Sequence, residues 1–513
     1  MEAAASMPTR SHRHQVTSTT RAWVVARVVV RVAAVALCSA LAGAALAQPS
    51  EATPPPSIGD LAVPLERGSL VAARWSASHA TRIEVYAAAS ETASPTDLLV
   101  ASLGGDERRA SFPIPASGLQ VIRVCAIGSA GSPDACMSRA LINVVVRGDD
   151  YDPYGLGDWI PEPPVPGTLR AVIAGADRGS VIGFAADVAR VDLHGVDAVY
   201  VNPVDPNDIR PGEGWQDAHM IIDRDLVISG RADARIEIVA RSGCAGCPPE
   251  RAFTYRSRVT RVLERVTAEL EHLTISGGAF VFEGAGIRND GTLTLRAVEV
   301  SGNRAWYEGG GILNGRTGVL TLVDTVVRDN RAATEAVEVG ASFGIRGSNT
   351  VLIQLENGGY GGGIFNAVGG LVSIRSGAIE ANEAKVSGGG VYNLGTLALE
   401  GTVVRGNVAD HTAYPAVGAP LSLGGGVFSD GNLTASATAF EENRAFDAGG
   451  ALALWPNGEA ALDNVVIRGN RALAGGAIRH ESYRGDGSRL RVADVTFEAN
   501  EVDEVSAREV ARP

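Results

Sequence analysis

The feature that most constrains this chain is a repeat that closes in about 25 residues. Glycine clusters fall at Gly309–Gly311, Gly361–Gly363, Gly388–Gly390, Gly424–Gly426, Gly449-Gly450 and Gly475-Gly476. Asparagines close a strand-like run at Asn303, Asn330, Asn382, Asn407, Asn443, Asn470 and Asn500. One uninterrupted unit runs from Gly388 through Val391 and Asn393, then Leu394 to Leu399, then Val403 to Asn407. That is three short strands separated by turns, with no room for a helix. We therefore expect a mainly β chain in which residues 273–500 form a right-handed parallel β-helix.

The residue types have physical reasons. Glycine permits positive φ at a corner and close approach of successive coils. Asparagine tolerates left-handed backbone, and its amide can bond the identical amide one coil away, so the seven asparagines are expected to form a structural ladder. Ile287, Ile312, Ile364, Val391, Val427, Leu452 and Ile478 share one repeat position and should form an inward aliphatic column. The 62 glycines and 5% aromatic content agree with tightly turned β-structure.

Upstream of the repeat, Arg10, Arg13, Arg21, Arg27 and Arg31 precede an uncharged apolar run from Val32 to Leu46. The run ends in Ala45-Leu46-Ala47, so residues 1–47 read as a signal peptide, and the expected location is extracellular or at the cell surface. Residues 48–57, with Pro54-Pro55-Pro56, read as a tether. Residues 58–147 show short alternating runs such as Arg82–Tyr86 and Leu119–Val124, the pattern of an antiparallel β-sandwich. Residues 148–166 read as a proline-rich linker whose aspartates leave calcium binding and a solvated segment as alternatives. Residues 167–272 read as a helical cap plus the first coils, and residues 501–513 as a polar tail.

Removing five arginines and one glutamate with the signal peptide takes the formal net charge from −13 to −17. Such a chain repels phosphate backbones and anionic lipid, so nucleic acid is excluded as a partner and membrane involvement is limited to export or surface attachment. The four remaining cysteines suggest structural disulfides Cys125–Cys136 and Cys244–Cys247, with a redox pair or half a zinc site as the alternative for the second pair.

Gly475-Gly476-Ala477-Ile478 together with Phe440-Glu441-Glu442-Asn443 and Phe497-Glu498-Ala499-Asn500 resemble the paired GGAI and FxxN repeats of chlamydial-type polymorphic outer membrane proteins. The resemblance implies a surface-exposed β-helix of the pectin-lyase-like superfamily involved in adhesion. Most coils here carry Gly-Gly-Gly-Ile/Val in place of GGAI. Trp75 and the strand running into Gly128-Ser129-Ala130-Gly131 resemble a fibronectin type III or immunoglobulin-like module.

No catalytic constellation, cofactor site or metal site is legible. His272, His411 and His480 stand alone in the repeats, and Asp324, Glu400 and Asp463 are scattered singly. Two features suggest binding instead. Leu313, Phe365, Tyr392 and Phe428 follow the inward column by one residue, so alternation points them outward as an apolar stripe. Beside it, Asn330 to Gly361 and Asn407 to Gly424 exceed the usual spacing, placing two insertions at one corner. The insertions and stripe either form a surface for an extracellular glycan or surface protein, or the insertions simply cover the stripe. A polysaccharide lyase or hydrolase with an unrecognised site is the runner-up. Arg147-Gly148-Asp149 and Arg484-Gly485-Asp486 match an integrin tripeptide at a frequency that chance explains.

Overall fold

A computed structural model describes residues 54–92, 94, 96–129, 135–151, 165–194, 200–201, 209–210, 220–241, 258–279, 281–332, 338–339, 351–352, 358–412, 421–481 and 489–502. The expected signal peptide and the Cys244–Cys247 pair lie outside these residues.

The chain is mainly β, and most of it winds through three parallel sheets. An 18-stranded sheet begins with Val144–Val145 and Asp149–Tyr151, continues through Ser180–Phe184 and Arg190–His194, and ends with Arg489–Glu498. A nine-stranded sheet runs from Met220–Ile222 to Ile478–His480, and an eight-stranded sheet from Val281–Glu283 to Glu501–Val502. Each repeat contributes to all three. The inward column stacks in register as expected, from Ile287 through Ile312, Ile364, Val391, Val427 and Leu452 to Ile478. All but Ile478 are sealed from solvent. The last strand reaches Val502, so the repeat continues two residues into the expected tail.

The corners differ in one respect from expectation. The residue that takes positive φ is the one before each ladder asparagine, namely Gly302, Asp329, Ala381, Gly406, Glu442, Gly469 and Ala499. The asparagine itself keeps ordinary backbone and spends its amide on hydrogen bonds. Glycine is demanded elsewhere. At Gly425 a Cβ would sit 2.3 Å from the Arg444 carbonyl oxygen and 2.6 Å from that of Gly450.

Residues Ser57–Ala62, Leu65–Glu66, Leu70–Ser78 and Arg109–Pro113 form one antiparallel sheet. Arg82–Ala88, Leu98–Gly104, Val121–Ile127 and Ala135–Ala140 form another. Val71 and Trp75 from the first meet Ile83, Val85 and Val124 from the second in one buried core, which continues into the parallel stack. Cys125 and Cys136, opposite each other on neighbouring strands, form a disulfide.

Between these sheets and residues 152–164, which lie outside the described residues, two short strands already pair with the stack. Val144–Val145 pairs in parallel with Gly183–Phe184, and Asp149–Tyr151 with Asp192–His194. Asp150 is buried and accepts from the Arg170 backbone N–H at 2.9 Å and from its Nε at 3.1 Å. The expectation of a linker over 148–166 is thus corrected at its start, and this aspartate serves an internal ion pair. The short helix Leu169–Gly175 follows, with the Thr168 hydroxyl accepting from the Ala171 N–H.

Candidate binding face

Leu313, Phe365, Tyr392, Phe428 and Ala453 do stack in register on adjacent strands of the nine-stranded sheet. Phe365 and Tyr392 are stacked with centroids 5.3 Å apart, and Tyr392 and Phe428 with centroids 4.5 Å apart. Of the two alternatives left open for these outward-pointing side chains, exposure and cover, it is cover that holds. Leu313, Phe365 and Phe428 are each 4–5% exposed, and Tyr392 is only partly exposed. Burial pushes the Tyr392 hydroxyl well above the ordinary tyrosine range.

The cover is visible. The residue before each glycine cluster forms its own parallel ladder: Glu308, Tyr360 and Ser387, then Leu423, Ala448 and Ala474. Tyr360 lies over Tyr392 with centroids 4.9 Å apart. Leu423, Ala448 and Ala453 form an apolar cluster with Phe428, against which Tyr392, Trp455 and Ala474 pack. The stripe is thus the inner layer of a satellite core outside the stack. An apolar row on a sheet is buried here by its own connections, which alternation along a single strand cannot reveal.

The asparagine ladder is continuous. From Asn303 to Asn470 each Nδ2 donates to the Oδ1 of the next, at 2.9–3.1 Å, ending on Asn500. Each Oδ1 from Asn330 onward also accepts the backbone N–H of the preceding asparagine, at 2.9–3.1 Å. A second ladder, which the sequence reading missed, runs Asn289, Asn314, Asn366, Asn393 and Ser429, with bonds of 2.7–3.0 Å. Its signal was present: each member stands two residues after the inward aliphatic position. Both ladders satisfy buried polar groups and offer nothing to a ligand.

Two polar clusters flank the insertions. His411 Nδ1 lies 2.7 Å from Ser422 Oγ and 3.4 Å from Asp447 Oδ2. The Ser422 N–H donates to Asp447 at 2.7 Å. The residue types match a hydrolytic triad, but one ring nitrogen faces both partners and Ser422 is fully buried, so the proton-relay geometry is missing. The cluster instead pins together the two ends of the second insertion. At the other position, burial and the neighbouring Glu283 push the Glu308 carboxyl up to about 7, with Arg288 opposing.

Among the described residues, no group of three or more His, Cys, Asp and Glu is placed to hold a metal ion. No described helix is long and apolar enough to cross a membrane. Arg147 of the first integrin-like tripeptide is paired with its own Asp149 at 2.9 Å, and the second tripeptide lies outside the described residues. No protein-family model, curated protein or solved structure matches the chain significantly.

Proposed function

We propose that this is an exported, surface-displayed right-handed parallel β-helix with an N-terminal immunoglobulin-like sandwich. In this reading it binds an extracellular glycan or surface protein without catalysis, through the two insertions. Parallel crossovers are right-handed in nearly all known cases, which supports the handedness. The likeness to polymorphic outer membrane protein repeats supports display: Phe440 packs inward, and Asn443 and Asn500 both belong to the ladder.

The observation that carries the binding reading is the placement of the insertions. They leave after Arg331–Ala332 and after Val408–Ala409, two strands of one sheet with only Glu383–Ala384 between them. At the usual strand spacing their stems stand about 10 Å apart. Insertions concentrated at one corner of a repeat protein are where binding surfaces are built. The stripe of Leu313, Phe365, Tyr392 and Phe428 enters this reading only as support beneath that corner.

The test replaces each insertion with the short connection used between Asn382 and Gly388, then measures glycan-array and cell binding. Loss of binding is expected with the strand signal retained in circular dichroism and a lowered melting temperature, because Tyr360 and Leu423 leave with the insertions. Binding that survives both replacements would overturn the reading. A second reading, polysaccharide cleavage, is favoured by the placement of Glu308 opposite Glu283, which itself pairs with Arg288 at 3.0 Å. These are two carboxyls with a basic residue, and burial raises the Glu308 carboxyl into a range suited to general-acid work. A uronate-lyase and glycosidase assay on Glu308→Gln beside the parent separates the two, since activity abolished by that change would favour the enzyme.

A further inference from the structure

We propose that the last described rung is a dimer interface, in which strand Arg489–Glu498 pairs antiparallel with the same strand of a second copy, tail to tail. The strand is bonded along one edge to Glu459–Arg468, and no strand pairs with its other edge among the described residues. Its inner face is bare in the same way. Val492 and Phe497 are 55% and 53% exposed, whereas Leu462 and Ile467, their neighbours one rung below, are 2% and 0% exposed. Unpaired backbone beside exposed core side chains is a template for another strand.

The strand is complementary to itself in one register. Its inward residues are Leu490, Val492, Val495 and Phe497, placed symmetrically about the corner at Ala493-Asp494, where Asp494 takes positive φ. Antiparallel self-pairing about that corner sets Leu490 opposite Phe497 and Val492 opposite Val495. A slip of one residue would set inward positions against outward ones, and a slip of two would separate the corners. The same register sets Arg489 opposite Glu498, twice per dimer.

The outer face supports the pairing independently. Arg328, Glu380, Arg405, Glu441, Arg468 and Glu498 occupy one position on successive rungs and alternate in sign throughout. Arg405 pairs with Glu380 at 2.7 Å and Arg468 with Glu441 at 2.8 Å. The column stops on a glutamate. In the dimer its next member is Arg489 of the partner subunit, which continues the alternation. The column at the strand's other end, Glu459 then Arg489, is continued by Glu498 of the partner subunit. A single strand that completes both columns and matches its own apolar spacing selects a second copy over an unrelated partner.

The experiment is sedimentation velocity on the mature chain and on Arg489→Glu and Glu498→Arg. The parent should dimerise in a concentration-dependent way. Each single variant places like charges opposite each other twice, and its dimer dissociation constant should rise about tenfold or more. An equimolar mixture of the two variants restores both opposite-charge pairs, and heterodimer should return. Both positions are exposed, so circular dichroism should match the parent, while the melting temperature should fall modestly as the dimer is lost and like charges face Glu459 or Arg468 on the same chain. A parent that stays monomeric up to its solubility limit overturns the proposal, as does a dimer equally tight in both variants. It also falls if deleting residues 503–513 turns a monomer into a dimer, because the occupant of this edge is then the chain's own tail.

Discussion

The middle of the stack and its two ends obey different rules. In the middle, each repeat meets a similar neighbour on both sides, so asparagine bonds asparagine, isoleucine covers isoleucine and one rung's outer arginine answers the next rung's glutamate. At the N-terminal end two antiparallel sheets supply partners of other kinds: Arg67 pairs with Glu269 and Glu271, and Ser69 Oγ donates to the Ser229 carbonyl at 2.7 Å. At the other end Phe497 and Val502 are exposed. A repeat protein gets its interior bonds by repetition, whereas its ends need unique residues. Changes in the middle should therefore be far more damaging than the same changes at an edge.

The largest expected effect breaks the ladder. Asn407 is fully buried, accepts from the Asn382 N–H and Nδ2 at 3.0 Å each, and donates to Ile379 at 2.8 Å and to Asn443 at 2.9 Å. Asn407→Ala strands donors on one rung and acceptors on another, and should lower stability by about 3–5 kcal/mol. Asn500→Ala removes the same acceptor from Asn470, but from a part-buried site at the last described rung. There water can replace the lost bonds, and about 1 kcal/mol is expected. Urea midpoints on the two variants check this. Equal losses would mean that two-sided stacking is not what makes the ladder stabilising.

How much of this was legible follows the same division. The inward column and the first ladder could be read because each coil repeats its residue at one spacing. The second ladder could have been read in the same way, from Asn289, Asn314, Asn366 and Asn393. The stripe was found but whether it is covered was left open, since its cover is made by Tyr360, Leu423 and Ala448, residues of three different connections. Contacts between unlike segments have no period. For the same reason the triad-like cluster of His411, Ser422 and Asp447 was invisible, as was the pairing of Asp149–Tyr151 with Asp192–His194 inside what reads as a linker.

A smaller effect tests the unique contacts at the N-terminal end. Glu271 is buried, and its carboxylate takes a hydrogen bond from Ser229 Oγ at 3.0 Å as well as the Arg67 ion pair. Arg67→Ala leaves that carboxylate short of a cationic partner, though Arg67 itself is half exposed and water can reach the gap. The expected loss is about 1–2 kcal/mol, against a few tenths for Arg405→Ala on the open face of the stack. Equal losses in urea denaturation at low salt would show that the antiparallel sheets rest on the stack without electrostatic anchoring.

The smallest effect sharpens the comparison within a single rung, because Glu308 occupies in one repeat the position that Leu423 and Ala448 fill in others. Burial, then Glu283, raises its carboxyl from an ordinary 4.5 to about 7, so the folded chain holds this proton more tightly than the unfolded chain does. A folded-state pKa raised above the unfolded value gives a contribution present below about pH 4.5 and lost as the pH rises through about 7. Glu308→Gln removes the titration. The parent and the variant should melt together near pH 4, with the parent falling behind by only about 1–2 °C near pH 8, since the site remains partly open to solvent. Parallel melting curves across that range would show that Glu308 is solvated like any surface carboxylate. The satellite core would then begin at Tyr360, one rung later than its ladder implies.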